Sequence, residues 1–279
     1  MVYADYVRPT SLNDALQALA SGSFKVLAGG TDLYPAHSDK PISSALLDIT
    51  GVADLAGIQH TGGMWRIGAT TTWSAIARAS LPAQFHGLQV AAREVGGIQI
   101  QNTGTIAGNL CNASPAADGI PALLALDAEL ELASVRGSRR LTLEAFLLGS
   151  RKTVLEPDEL VTAVWIPQRS NARTTFLKLG HRRYLVISIV MVSALLEVEH
   201  GSIRHAAVAV GSCSAVARRL HALEQKLVGQ TTDCALDDLI TTDDLTVLTP
   251  IDDVRGSAAY RSDAATTLVR RALAEAMHE

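Results

Sequence analysis

Two glycine-bearing segments hold the residues best suited to chemistry in this chain of 279 residues. The first is Lys25-Val26-Leu27-Ala28-Gly29-Gly30-Thr31-Asp32-Leu33-Tyr34-Pro35, where a strand expected over Val26–Ala28 runs into two glycines, a hydroxyl and an acid. Adjacent glycines let the backbone turn sharply and bring bare N–H groups close to another molecule. Successive N–H groups in such a turn form a nest for anions, phosphate being the usual guest. Thr31 can add a hydroxyl donor. A lone Gly-Gly is more often a turn with no ligand, and the second segment shifts that balance. From Gly96 to Asp118 the chain is rich in Gly, Asn, Ser and Thr, and it includes Thr103-Gly104-Thr105-Ile106-Ala107-Gly108-Asn109 and Ser114-Pro115-Ala116-Ala117-Asp118. It reads as a polar loop between helices. A structureless run longer than about 15 residues is uncommon unless it is functional.

Other chemistries lack their signals. Gly63–Thr70 has the glycine spacing of a Walker A loop, but Ala69 stands where the lysine must be, so it reads as a turn and a strand over Trp65–Ala69. No His-Glu-x-x-His, Gly-x-Ser-x-Gly or Gly-x-Gly-x-x-Gly occurs, and the eight histidines form no ligand-spaced cluster. His181 reads as a surface residue, and Lys178 as a solvated or edge position unless its strand borders a cofactor. Cys111, Cys213 and Cys234 are scattered, with no Cys-x-x-Cys. Three thiols cannot furnish an ordinary four-cysteine iron–sulfur cluster, and a reducing cytoplasm fits best. A net charge of -4 without a basic stripe argues against nucleic acid. Met1–Tyr6 has the features of no signal peptide, and the apolar run Leu185–Leu196, broken by Ser188 and Ser193, is too short for a membrane span.

The elements that must position these segments follow from periodicity. Ser11 opens a helix with Leu12, Ala15, Leu16 and Leu19 on one face and Asp14 three residues after the cap. A strand is expected over Ala45–Ile49, helices over Trp73–Ala79 and Leu88–Val95, a helix after Pro121, and strands over Ala128–Ala133 and Glu159–Ile166. Gln168–Arg173 is polar and marks a boundary, giving domains over 1–170 and 171–279. Beyond it Thr174–Leu179, Val186–Val198 and Ile203–Val210 read as three strands whose short turns, one at His200-Gly201, imply antiparallel pairing. Two helices close the chain, one striped by Val216, Leu220, Leu223 and Leu227 before Gly229, the other by Leu268, Val269, Ala272 and Leu273. The class is α+β.

The two glycine motifs together, with Arg66–Thr71 and Phe176-Leu177-Lys178-Leu179-Gly180, resemble the FAD-binding medium subunit of molybdenum hydroxylases, the family of the carbon monoxide and xanthine dehydrogenase flavoproteins. The resemblance covers nearly the whole chain. It implies a two-part FAD-binding domain of the PCMH/VAO type (subdomains about 1–60 and 61–170), followed by a smaller domain with a three-stranded antiparallel sheet and helices. Leu27, Ala28, Gly29, Gly30, Thr31 and Asp32 would wrap the pyrophosphate. Thr105, Ile106, Ala107, Gly108 and Asn109 would approach the pyrophosphate and ribityl chain, with Ser114 and Asp118 on the ribityl or flavin side. By the same resemblance Val161 packs against the ring and Lys178 lies near it. Ala107 replaces a glycine common in the family, so its methyl requires a negative φ or looser packing.

The resemblance further implies an electron outlet. Substrate is hydroxylated at molybdopterin in a large subunit, electrons cross 2Fe-2S clusters of a small subunit, reach FAD here and leave to NAD or another acceptor. A dimer of heterotrimers in the cytoplasm is the implied assembly. Two alternatives stand beside it: a self-sufficient FAD-dependent oxidoreductase of the same fold, and a flavin-free scaffold whose glycine segments are only turns.

Overall fold

The computed structural model describes residues 5–39 and 41–278; the Met1–Ala4 part of the N-terminal reading lies outside them. After β1 (Tyr6–Val7), helix α1 (Leu12–Ser21) starts where the spacing predicts, the Ser11 hydroxyl accepting from the Asp14 N–H at 3.1 Å. Ala15, Leu16 and Leu19 form its buried face. Strands β2 (Phe24–Leu27) and β3 (Ala45–Asp48) complete a parallel sheet in the order β1-β3-β2. The chain leaves β2 directly into the glycines.

β4 (Ile58–Thr61) and β5 (Met64–Gly68) form a hairpin turning at Gly62 and Gly63, with φ of +58° and +73°. The Walker-like spacing is thus a turn and a strand, as expected. Helices α2 (Trp73–Arg78) and α3 (His86–Glu94) follow. The largest departure comes next. The expected polar loop is α4 (Ile98–Thr103) and α5 (Ile106–Asn112), followed by α6 (Gly119–Ala125). Its small polar residues start and stop short helices: Thr105 accepts from the Gly108 N–H at 3.1 Å, while Gly96 and Ala113 take left-handed backbone at the ends. Ala107 lies inside α5, so the helix itself supplies the negative φ its methyl needs. Pro121 sits in the first turn of α6, where a missing N–H costs nothing.

β6 (Glu129–Ser134), β7 (Gly137–Thr142), α7 (Leu143–Phe146), the small hairpin β8 (Leu147–Gly149) and β9 (Lys152–Thr153), and β10 (Leu160–Pro167) finish this part. A five-stranded antiparallel sheet runs β4-β5-β10-β6-β7. The edge strand β7 is not legible in the sequence, because Ser138, Arg139 and Arg140 are exposed and leave no apolar alternation to read.

Beyond the boundary, β11 (Ala172–Leu179), β12 (Val190–Glu199), β13 (Ser202–Gly211) and the short β14 (Arg218–Arg219) form an antiparallel sheet in chain order. The three expected strands are present and a two-residue fourth is added at one edge. β12 starts four residues later than expected, leaving 180–189 as a loop, and Val216 precedes rather than joins the next helix. Helices α8 (His221–Leu227), α9 (Leu236–Leu239) and α10 (Ala258–His278) end the chain. Side chains alternate across a strand, so the sheet has two apolar faces. Met191, Leu195, Ala207 and Ala209 join the core built by α2, α3, α5 and α6, whereas Val192, Leu196, Val208 and Val210 pack against α8 and α10. One core therefore crosses the boundary near residue 170.

Candidate cofactor-binding site

The glycine segments meet across a cleft of about 480 Å³, within the range of small-molecule sites. Leu27, Ala28, Gly29, Gly30, Thr31 and Asp32 line one wall, and Thr105, Ala107, Gly108, Asn109 and Val161 line the other. Gly30 has φ +70°, the left-handed turn a glycine is needed for. Gly29 serves another purpose. A Cβ there would stand 2.0 Å from the Thr103 carbonyl oxygen, so its lack of a side chain lets the first loop pack on the end of α4.

The two walls offer different chemistry. Among the described residues, the backbone amides of Gly29, Gly30, Thr31, Asp32 and Leu33 find no acceptor within the chain. A run of free N–H groups in one turn is the anion nest the sequence suggests. The second motif spends its amides internally: Ile106 on Thr71 O, Ala107 on Ala69 O, Gly108 on the Thr105 hydroxyl and Asn109 on Thr105 O. What it presents instead is the side chain of Asn109, whose Oδ1 is buried with no partner.

Four expected residues stand elsewhere. Ile106 is fully buried in the core, and Ser114, Asp118 and Lys178 do not line this cleft. Lys178 Nζ donates to Asp118 Oδ2 at 2.8 Å and to Glu94 O at 3.1 Å, while the Ser188 hydroxyl donates to Asp118 Oδ1 at 2.6 Å. Burial pushes the Asp118 carboxyl up, against the opposing pull of Lys178 and Ser188. This buried pair joins α6 to β11, and Lys178 opens on a second hollow of about 410 Å³ beside Val90, Glu94, Arg182 and Arg183.

Several further residues line the cleft, and of these the sequence points only to Cys111, which adjoins the second motif. Trp73 is buried beneath the second motif, against Gly104 and Gly119. Cys111 also lines the cleft, its thiol pushed up to about 12 by burial. Glu159 is clamped by Arg139 at 2.7 Å through both oxygens, which holds its carboxyl below the usual range. Asn112 and Arg151 complete the rim. Lone polar residues in a helix end or a hairpin turn carry no pattern that marks them in advance.

Residues 2–169 match the FAD binding domain in molybdopterin dehydrogenase. The chain belongs to this flavoprotein family. Residues 175–276 of the flavoprotein subunit match the CO dehydrogenase flavoprotein C-terminal domain. It is 30% identical over 282 residues to the xanthine dehydrogenase FAD-binding subunit of Escherichia coli O157:H7, covering 99% of this chain and 96% of the relative. It is 29% identical over 278 residues to the carbon monoxide dehydrogenase medium chain of Afipia carboxidovorans, covering 98% and 96%. Among solved structures it superposes on Cu,Mo-CO dehydrogenase with a TM-score of 0.91 at 28% identity, covering 100% of this chain and 99% of the other. The subunit is thus an FAD-dependent oxidoreductase component.

The residues present fit that cofactor. FAD needs donors for its diphosphate and polar partners for a hydroxylated chain. The free amides of Gly29–Leu33 and the unpartnered Asn109 Oδ1 are groups of those two kinds, on opposite walls of one cleft. No helix of the described residues is long and apolar enough to cross a membrane, and no metal-holding cluster occurs among them.

Proposed function

We propose that this chain carries FAD in the cleft between its glycine segments and is the electron-transfer subunit of a molybdenum hydroxylase complex. Electrons arrive from 2Fe-2S clusters of a small subunit, after hydroxylation at molybdopterin in a large subunit, and leave to NAD or another acceptor. FAD supplies exchange of electrons singly or in pairs, which joins one-electron donors to two-electron acceptors. The observation that carries the reading is that five free amides and an unpartnered Asn109 Oδ1 belong to residues lining one cleft.

The chain's own residues bind and orient. Gly29–Leu33 donate to the diphosphate, with Thr31 adding its hydroxyl. Asn109 accepts from a ribityl hydroxyl. Val161 and Leu155 give an apolar wall, and Trp73 seals the floor against water. Lys178, Asp118 and Ser188 bind one another and so hold the part before residue 170 against the part after it. We assign these as a cofactor domain over 1–170 and a C-terminal domain over 171–279, in a cytoplasmic dimer of heterotrimers.

The test is the flavin content of the purified chain. Acid denaturation followed by centrifugation should leave one FAD per chain in the supernatant. Flavin retained in the pellet would contradict a non-covalent site, and protein without flavin from the intact complex would contradict the reading.

A further inference from the structure

We propose that Arg151 is the cation this cleft offers to the diphosphate of its dinucleotide, held in place by Asn112 and Asp32. The proposal rests on the FAD reading above and adds to it a charged positioning residue that neither glycine motif contains.

The charges lining the cleft are few: Lys25, Asp32, Arg151 and Glu159. Glu159 is occupied by Arg139 on both oxygens. Asp32 Oδ1 accepts from Asn112 Nδ2 at 2.9 Å, and Asn112 Oδ1 in turn accepts from the Arg151 guanidinium. This relay runs from the first glycine loop, through the end of α5, to the turn between β8 and β9. It leaves the remaining guanidinium N–H groups without an acceptor among the described residues. Lys25, on the exposed edge strand β2, has no comparable support.

The backbone under Arg151 is equally specific. Its φ is +59°, and its N–H donates at 2.9 Å to the carbonyl of Ala113, which is itself left-handed at φ +44°. Glycine or asparagine would relax such a turn. Strained non-glycine positions of this kind concentrate at ligand clamps, where surrounding structure holds them. Here the strain aims a guanidinium at the cleft. Its planar fork matches two phosphate oxygens, and a dianionic diphosphate is the part of the dinucleotide that requires it. The free amides of Gly29–Leu33 supply dipoles, whereas Arg151 supplies net charge.

The experiment uses the full chain, stripped of FAD and retitrated with it by flavin fluorescence at low and high salt. Arg151→Gln and Gly30→Val are compared with wild type, and apo-protein melting is followed in parallel. Arg151→Gln should weaken FAD by about tenfold or more, flatten the salt dependence and leave apo melting unchanged; Arg151→Lys should recover part of the affinity. Weaker binding with an unaltered salt dependence would reduce Arg151 to a structural tie and overturn the proposal. FAD affinity unchanged in Arg151→Gln but lost in Gly30→Val would overturn it while leaving the cleft as the FAD site. Affinity unchanged in both would overturn the cleft reading as well.

Discussion

Gly29 packs its α-carbon against the carbonyl of Thr103, so closely that a Cβ at residue 29 would lie 2.0 Å from that oxygen. This contact, between residues far apart in the sequence, sets the first glycine loop on the end of α4. At Gly30 the constraint is different: φ is +70° and a Cβ would meet the ring of the exposed Tyr34.

The two glycines should therefore fail differently. Gly29→Ala forces backbone apart, so it should cost about 1–3 kcal/mol and most of the FAD affinity. Gly30→Ala carries a left-handed penalty of about 1–2 kcal/mol, but the Tyr34 ring can swing aside, so FAD should be retained more weakly than in wild type. Melting curves and FAD titrations of both variants check the ranking; Gly29→Ala binding FAD as well as wild type would contradict it.

Asp118 should behave as half of a buried ion pair. It occupies the N-cap position of α6, yet its side chain makes no capping hydrogen bond and instead meets Lys178 at 2.8 Å. Removing one partner strands the other charge, so Asp118→Asn should lose about 3–5 kcal/mol in urea unfolding. Loss of a cap alone would cost about 1 kcal/mol. The paired change Asp118→Leu with Lys178→Met should be milder than Asp118→Asn. A loss near the smaller figure would refute the ion-pair role.

Acid should loosen the joint between the two parts. Burial alone would raise the Asp127 carboxyl, but His205, Arg219 and Arg169 hold it well below the usual carboxylate range. A depressed folded pKa stabilises above the unfolded value of about 3.9 and loses that contribution as pH falls further. Thermal stability should thus be flat from about pH 7 to pH 5 with respect to this group and decline below about pH 4. Asp127→Asn should lower stability at neutral pH and flatten the acid decline. Parallel pH profiles for variant and wild type would exclude this origin.

Cys111 lines the cleft but is inert in this account, because burial pushes its thiol up to about 12 and the thiolate is the reactive form. Iodoacetamide at about pH 8 should leave Cys111 unmodified in the native chain and label it after denaturation, as peptide mass spectrometry would show. Native labelling would contradict the inert thiol, and a flavin adduct on the Cys111 peptide would contradict the non-covalent site.

The fold was readable wherever one apolar face repeats with a single period. Ser11 with Asp14, the strand leading into the first glycine loop, and β13 lie close to where their patterns place them, whereas β12 begins four residues later than its apolar run suggests. The patterns gave out for three physical reasons. Arg139 and Arg140 sit on an edge strand with no buried face. Thr105 caps a helix of seven residues by accepting from the Gly108 N–H, and that helix resembles a loop in composition. Tertiary contacts decide the rest: nothing local in the sequence pairs Lys178 with Asp118, or aligns Asp32, Asn112 and Arg151. The glycine walls of the cleft were legible because backbone conformation restricts residue type, whereas its charged rim was not.

The central claim is that electrons enter this chain from an iron–sulfur partner and not from an organic substrate. Its most direct test is anaerobic mixing of the FAD-loaded full chain, first with candidate heterocycles, aldehydes or carbon monoxide, then with the reduced 2Fe-2S small subunit, following the visible flavin band. The account predicts no bleaching by the organic compounds alone and rapid bleaching by the reduced small subunit. Rapid bleaching by an organic substrate with no partner present, or none by the reduced small subunit, would contradict it.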